Sequence, residues 1–162
     1  MNKKGFTLIE LLVVIAIIAI LAGIVIIAVN PARQIAQARN AQRKADTLTT
    51  LNAIHQYFVD EGKFPEGVDD KYRQLGTSGA GCNVGGGVVG NTCGGWTLEA
   101  ACLNLTTALV GTAGDKYLSA MPKDPEGTEA ISGYAIQKNA TNKRITIRAC
   151  QAELGLTIEV TR

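Results

Sequence analysis

The sequence predicts an α+β fold in which a long N-terminal helix precedes a C-terminal antiparallel sheet. Three patterns carry that expectation. Leu11 to Val29 contains no charged or strongly polar side chain. From Ala32 to Glu61 apolar residues recur at spacings of three and four, and from Tyr134 to Val160 they alternate with polar ones.

The apolar run is long enough to span a membrane, since about 20 such residues in a helix cross roughly 30 Å of hydrocarbon. A removable secretory signal does not fit, because its apolar core is about 7 to 15 residues and ends in a small-residue cleavage site. Glu10 stands at the mouth of the span, and a carboxylate there is costly enough to be read as functional, with a partner to be found. Lysines flank one end (Lys3, Lys4) and basic residues the other (Arg33, Arg39, Arg43, Lys44), so loop charge does not set the topology. The second basic group reads as headgroup anchors and a solvated face rather than a DNA-contacting stripe.

Gly23 and the Asn30-Pro31 pair are expected helix breaks; proline has no amide proton to donate one turn back. After Pro31 the apolar stripe of Ile35, Ala38, Ala41, Ala45, Leu48, Leu51, Ile54 and Phe58 predicts a helix whose apolar face is the seam for the head. Gly62 is placed to cap it, and Phe64-Pro65 prevents continuation. One interrupted helix from Phe6 to Glu61 would be about 84 Å long at 1.5 Å per residue, more than the head needs.

Gly62 to Trp96 reads as loop. Residues 76–95 hold nine glycines around Cys82 and Cys93, without the order of a phosphate-binding loop. Trp96 to Leu109 has the spacing of a short helix, with Thr97 as its cap. Pro122 and Pro125 bracket Asp124 and impose an extended turn. Three strands follow, marked by Tyr134 and Ile136, by Ile145 and Ile147, and by Ile158 and Val160, with a hairpin turn at Asn139 to Lys143. Asn139-Ala140-Thr141 fits a glycosylation triplet, one that is common by chance.

The 162 residues suit a single modest head once the N-terminal helix is set aside, and a net charge of +2 gives no case for a nucleic-acid binder. The four cysteines, Cys82, Cys93, Cys102 and Cys150, have no zinc spacing and all follow the span, which points to disulfides in an oxidising space. Three connectivities are open to four cysteines. Cys82 with Cys93 and Cys102 with Cys150 is the expected set, because the second bond ties the middle of the head to its last strands. The only histidine, His55, is remote from the cysteines in sequence. No catalytic constellation, metal cluster or cofactor loop is present in the sequence, so the expectation is no enzyme, no metal and no cofactor.

The residues Lys4-Gly5-Phe6-Thr7-Leu8-Ile9-Glu10 resemble the processing site of type IV pilins and of the pseudopilins of type II secretion. The resemblance implies cleavage between Gly5 and Phe6, N-methylation of Phe6, and an assembly role for Glu10 together with the new amine of Phe6. Independently, glycine before the cut presents unobstructed backbone to a peptidase, and cleavage removes Lys3 and Lys4. Ala120-Met121-Pro122-Lys123-Asp124-Pro125 resembles the Leu-Pro-x-Asp-Pro junction of major pseudopilins and related pilins, with Glu126 where the family has an aromatic. Relatives often carry the helix proline about one turn earlier than Pro31.

The implied architecture is pilin-like: residues 1-5 a prepilin leader, 6-30 a transmembrane and filament-core helix, 31-62 its amphipathic second half, and 63-162 a globular head. The implied function is a structural subunit of a type IV pilus-like filament, a helical homopolymer built on the hydrophobic helix. The expected partners are copies of the chain, the prepilin peptidase, an inner-membrane assembly platform, minor pilins and the lipid bilayer, with nucleic acid only for a DNA-uptake filament. Before assembly the chain would be a single-pass protein of the cytoplasmic membrane with its head outside, and afterwards part of a cell-surface filament. The alternatives are a major pseudopilin that pushes secreted proteins and, in a different class, a non-polymerising single-span receptor or sensor. Adhesion, motility, DNA uptake and secretion, calcium binding and glycosylation are not separated by the sequence.

Overall fold

The structure, a computed structural model, describes residues 5–28, 30–88, 92–111 and 116–162. The chain divides into two compact units, residues 1–35 and 36–162.

In the first unit, α1 (Leu8–Ala28) carries one charged residue, Glu10 in its first turn, and is apolar after it. Its side chains from Leu8 to Ile26 are all exposed, and that stretch is long and apolar enough to cross a membrane. The helix passes through Gly23 without interruption, which corrects the expected break there: one glycine in so apolar a helix removes no hydrogen bond. At Pro31 a new helix starts, α2 (Pro31–Glu61). Asn30 Oδ1 accepts the Arg33 amide at 3.2 Å, which is N-cap geometry, and Pro31 takes the first helical position, where its missing amide proton costs nothing.

In the second unit, α2 ends at Glu61 and Gly62 follows with φ of 70°, its amide bonded to the Phe58 carbonyl at 2.9 Å. A four-stranded antiparallel sheet is ordered β1 (Arg73–Gln74), β4 (Tyr134–Lys138), β5 (Ile145–Ala149), β6 (Glu159–Thr161). β2 (Thr92–Cys93) and β3 (Trp96–Thr97) form a separate hairpin across Gly94 and Gly95, both at positive φ as a two-residue turn requires. The helix expected from Trp96 to Leu109 is cut down to one turn, α3 (Thr106–Leu109), because Trp96 and Thr97 pair with β2 instead. β1 was not expected at all: two polar residues show no alternation. Leu51 and Ile54 of α2 join Tyr134, Ile136, Ile145, Ile147, Leu105 and Leu109 in the main core.

The inner face of α2 is not the apolar stripe. Its buried residues are Ala36, Asn40, Arg43, Thr47, Thr50, Leu51, Ala53 and Ile54, whereas Ala38, Ala41, Ala45 and Leu48 are exposed. The expected seam is thus corrected over its first half, where the head is fastened by charge. Arg43, expected on a solvated face, is fully buried. Its guanidinium grips Asp124 through Nε (2.5 Å to Oδ2) and Nη2 (3.0 Å to Oδ1), a two-pronged pair with both side chains inaccessible. Nη1 donates to Glu153 at 2.8 Å and to Asn40 at 3.1 Å. Arg39 holds the same Glu153 carboxylate through Nε (2.6 Å) and Nη2 (2.9 Å). Beside this cluster the Tyr134 hydroxyl donates to Asp46 at 2.7 Å. Gly133 stands at φ of 84°, and a Cβ there would meet the Asp124 Cβ at 2.8 Å, so the close approach needs glycine.

Two disulfides staple the head, Cys82–Cys102 and Cys93–Cys150. The expected pairs, Cys82 with Cys93 and Cys102 with Cys150, are therefore wrong. Cys93 lies in the β2–β3 hairpin with Trp96, whose ring lies under Arg148 of β5 at 4.4 Å, which brings Cys93 to the residue after β5. Cys82 is drawn to Cys102 by main-chain bonds from the Cys82 amide to Ala100 and from the Cys102 amide to Ser78.

Non-reducing peptide mapping should recover these two pairs. By loop entropy, replacing Cys82 and Cys102 (separation 20) with serine should cost about 3 kcal/mol, and replacing Cys93 and Cys150 (separation 57) about 4 kcal/mol, read from urea unfolding in detergent.

Asp124→Asn should destabilise the chain by about 3 kcal/mol in the same assay, because it removes the forked carboxylate from a buried guanidinium and leaves Glu153 as its one charged partner; Arg43→Met with Asp124→Leu should recover most of that.

Hydrogen bonds from Arg39, then Arg43, hold the Glu153 carboxyl down at about 2, against an ordinary 4.5. A lowered carboxyl contributes stability that is complete above 4.5 and is lost as pH falls from 4.5 toward 2. The urea midpoint should drop across that window, and Glu153→Gln should flatten the drop.

Candidate processing and assembly site

The N-terminal residues divide into a loose segment and a capped helix. Gly5, Phe6 and Thr7 precede α1 and are not helical, and Phe6 is 91% exposed. The Gly5–Phe6 bond is thus in open backbone, the form a peptidase grips. Among the described residues nothing lies within 4 Å of where a Gly5 side chain would be.

Thr7 and Glu10 close a capping box. The Thr7 amide and hydroxyl both donate to Glu10 Oε2 at 2.8 Å, and the Glu10 amide donates to Thr7 Oγ1 at 3.3 Å. Thr-x-x-Glu ahead of an apolar run is the sequence signature of that box, and it was legible in Thr7-Leu8-Ile9-Glu10. Glu10 therefore has a local partner in the lone chain, which offsets part of the cost of a carboxylate at the lipid boundary. At the other end of α1, Pro31 opens α2, and Gly23 remains helical.

Among the described residues no three His, Cys, Asp or Glu side chains group as metal ligands. His55 packs edge-on against Phe64, its Nε2 buried without a hydrogen bond, and burial pushes its pKa down. The cysteines are all in disulfides. Asp124 in the Pro-Lys-Asp-Pro junction and Glu153 in the C-terminal segment are the residues that sequence reasoning missed as structural partners. The buried partner of Arg43 had no signal in helix periodicity.

A capped apolar helix behind an open Gly–Phe bond, followed by a disulfide-stapled α+β head, defines a class: membrane-anchored proteins with an N-terminal methylation helix. The family model described as the prokaryotic N-terminal methylation motif matches residues 1–26. The chain is 37% identical to the fimbrial protein EcpC of Eikenella corrodens over 129 residues, 72% of this chain and 80% of that one. It is 42% identical over 66 residues to two type IV major pilin proteins PilE1 of Neisseria gonorrhoeae, a match that covers 40% of this chain and 38% and 34% of theirs. No solved structure matches it. The chain belongs to the type IV pilin family and is a structural subunit of a pilus-like filament.

Proposed function

We propose that the chain is made as a single-pass precursor with its head outside the cytoplasmic membrane, is cut between Gly5 and Phe6 and methylated on Phe6, and polymerises into a surface filament. The observation that carries this reading is the open Gly5–Phe6 bond two residues ahead of a capped helix that is apolar from Leu11 onward. Cleavage removes Lys3 and Lys4 and creates an amine at Phe6. The partners would be the peptidase, an inner-membrane assembly platform and minor pilins, and the chain itself would act as scaffold rather than enzyme.

Glu10 sets the register of each incoming subunit. In the lone chain its carboxylate is held by Thr7 near the lipid surface. Inside a bundle of apolar helices an unpaired charge is far more costly, and the amine of a neighbour's Phe6 neutralises it. A subunit out of register by one residue would leave both charges unpaired, its own and its neighbour's. The exposed Ala38, Ala41 and Ala45 on the outer side of α2 offer small side chains for close helix packing in the same bundle, with Leu48 as an apolar contact beside them.

The junction at Pro122-Lys123-Asp124-Pro125 does not favour a pseudopilin. Asp124 is the buried partner of Arg43, so the packing of the head already requires it, whatever work the filament does.

Intact-mass analysis of filaments sheared from cells should find a chain beginning with N-methylated Phe6; an uncut, cell-retained chain beginning at Met1 would defeat the proposal. Glu10→Leu should still be cut, yet lower filament yield by about tenfold or more, because it leaves the neighbour's Phe6 amine unpaired, and a charge at the bilayer centre costs roughly 2.5–3.5 kcal/mol. Normal yield from that variant would remove Glu10 from the register.

A further inference from the structure

The head's own packing does not account for Leu154. Glu153 to Leu156 form a tight turn closed by the Leu156 amide on the Glu153 carbonyl at 3.2 Å. Its two central residues, Leu154 and Gly155, have φ of 60° and 68°. Left-handed backbone suits Gly155 and is disfavoured for leucine, whose Cβ crowds the chain. Burial does not compensate, because Leu154 and Leu156 are each 49% exposed. Asparagine or glycine would occupy the position without strain.

Nor is the turn loose. The Asn40 side chain donates to the Glu153 carbonyl at 2.9 Å and accepts the Glu153 amide at 3.0 Å. Arg39 and Arg43 clamp the Glu153 carboxylate. Strained backbone persists where its surroundings over-determine it, and it gathers at functional contacts. Two leucines are thus held out on a rigid stem.

The same unit carries a hollow with an apolar wall and a polar rim that includes Asn104, Lys123 and Glu129. A cavity of about 240 Å³ lies between the end of β1, the α3 turn and the segment before Asp124, with Leu75, Leu105, Val110, Met121 and Pro122 in its walls. Apolar cavities of roughly 150 Å³ already hold a benzene-sized group, so this one has room for a leucine side chain. A knob and a hole at different places on one protein make a heterologous contact, the kind that repeats into a helical filament instead of closing into a pair.

We propose that the Leu154–Leu156 turn of one copy docks into this cavity on the next copy, as a head-to-head-neighbour contact along the filament; this rests on the filament reading above. The occupant is a second copy because the chain belongs to a polymerising family and the hole and the knob are both its own. The contact is built on strained backbone because a relaxed glycine turn would offer no side chain to insert.

The test places p-benzoylphenylalanine at position 154 of the full chain in cells, shears the filaments, irradiates them and maps the crosslinks by mass spectrometry. Crosslinks into residues 104–110 or 119–123 of a second copy are expected. Filaments that give no crosslink, or crosslinks only to lipid or to other surfaces, overturn the docking while leaving the filament reading intact. Absence of filaments from the unmodified chain overturns both. Because the probe is bulky, two variants accompany it. Leu154→Gly relaxes the turn, so the subunit in detergent should melt at the same or a higher temperature while filament yield falls about tenfold. Ala120→Trp, at the exposed mouth of the cavity, should lower yield similarly with melting unchanged. Undiminished yield from either variant overturns the proposal.

Discussion

The burial of Arg43 constrains everything around it. A guanidinium with no access to water must find its partners inside the protein, because an unpaired charge there is among the costliest things a fold can contain. Those partners come from Asp124 and Glu153, 81 and 110 residues further along the chain. Three remote segments must therefore meet together: α2, the proline-bracketed junction, and the turn after β5. The arrangement also fixes how α2 lies along the head. An apolar face tolerates sliding by a turn, about 5.4 Å, with modest loss. A two-pronged guanidinium does not, since the same slide would leave Arg43 and Asp124 both buried and both alone.

That constraint explains where sequence reasoning succeeded and where it failed. The span was legible because composition alone decides it, and the C-terminal strands were legible because Ile145, Ile147, Ile158 and Val160 alternate on one face. The start of α2 was half legible: Asn30-Pro31 was read as a break, and it is equally the signature of an N-cap and first helical residue. The packed face of α2 was misread because periodicity reports how apolar residues are arranged and not which side meets a neighbour. Ala38, Ala41, Ala45 and Leu48 keep perfect helical spacing and face away from the head, while Asn40, Arg43, Thr47 and Thr50 face into it. No local pattern marks a buried arginine. Its partner has to be seen first.

The glycine-rich loop was legible only as a loop. Spacing along the chain does not show which cysteines the fold brings together, and the expected pairing of Cys82 with Cys93 rests on giving Cys102 to Cys150. In the fold several of the loop's glycines serve close approach. At Gly76 a Cβ would sit 2.2 Å from the Ala130 carbonyl oxygen and 3.1 Å from Cys102 Sγ, so the chain passes tightly beside the residue that Cys82 bonds. The two disulfides consequently reach out of the loop, one to the segment before α3 and the other to the end of the sheet. Such connectivity depends on which backbones run side by side, and that is a property of the assembled sheet and hairpin rather than of spacing along the chain.

The use of charge on the inner face of α2 has a further consequence for a subunit that must polymerise. Had the head been fastened through the apolar stripe, Ala38, Ala41, Ala45 and Leu48 would be consumed inside the monomer, and α2 would present only polar side chains to other helices. Fastening by Arg39, Asn40, Arg43 and Asp46 reverses that allocation. Small side chains stay on the outside, where helices of other copies can approach closely. Because the inward attachments are forked and specific, and the outward ones non-directional, the head keeps its position on α2 while the outer stripe is free to pack against new neighbours.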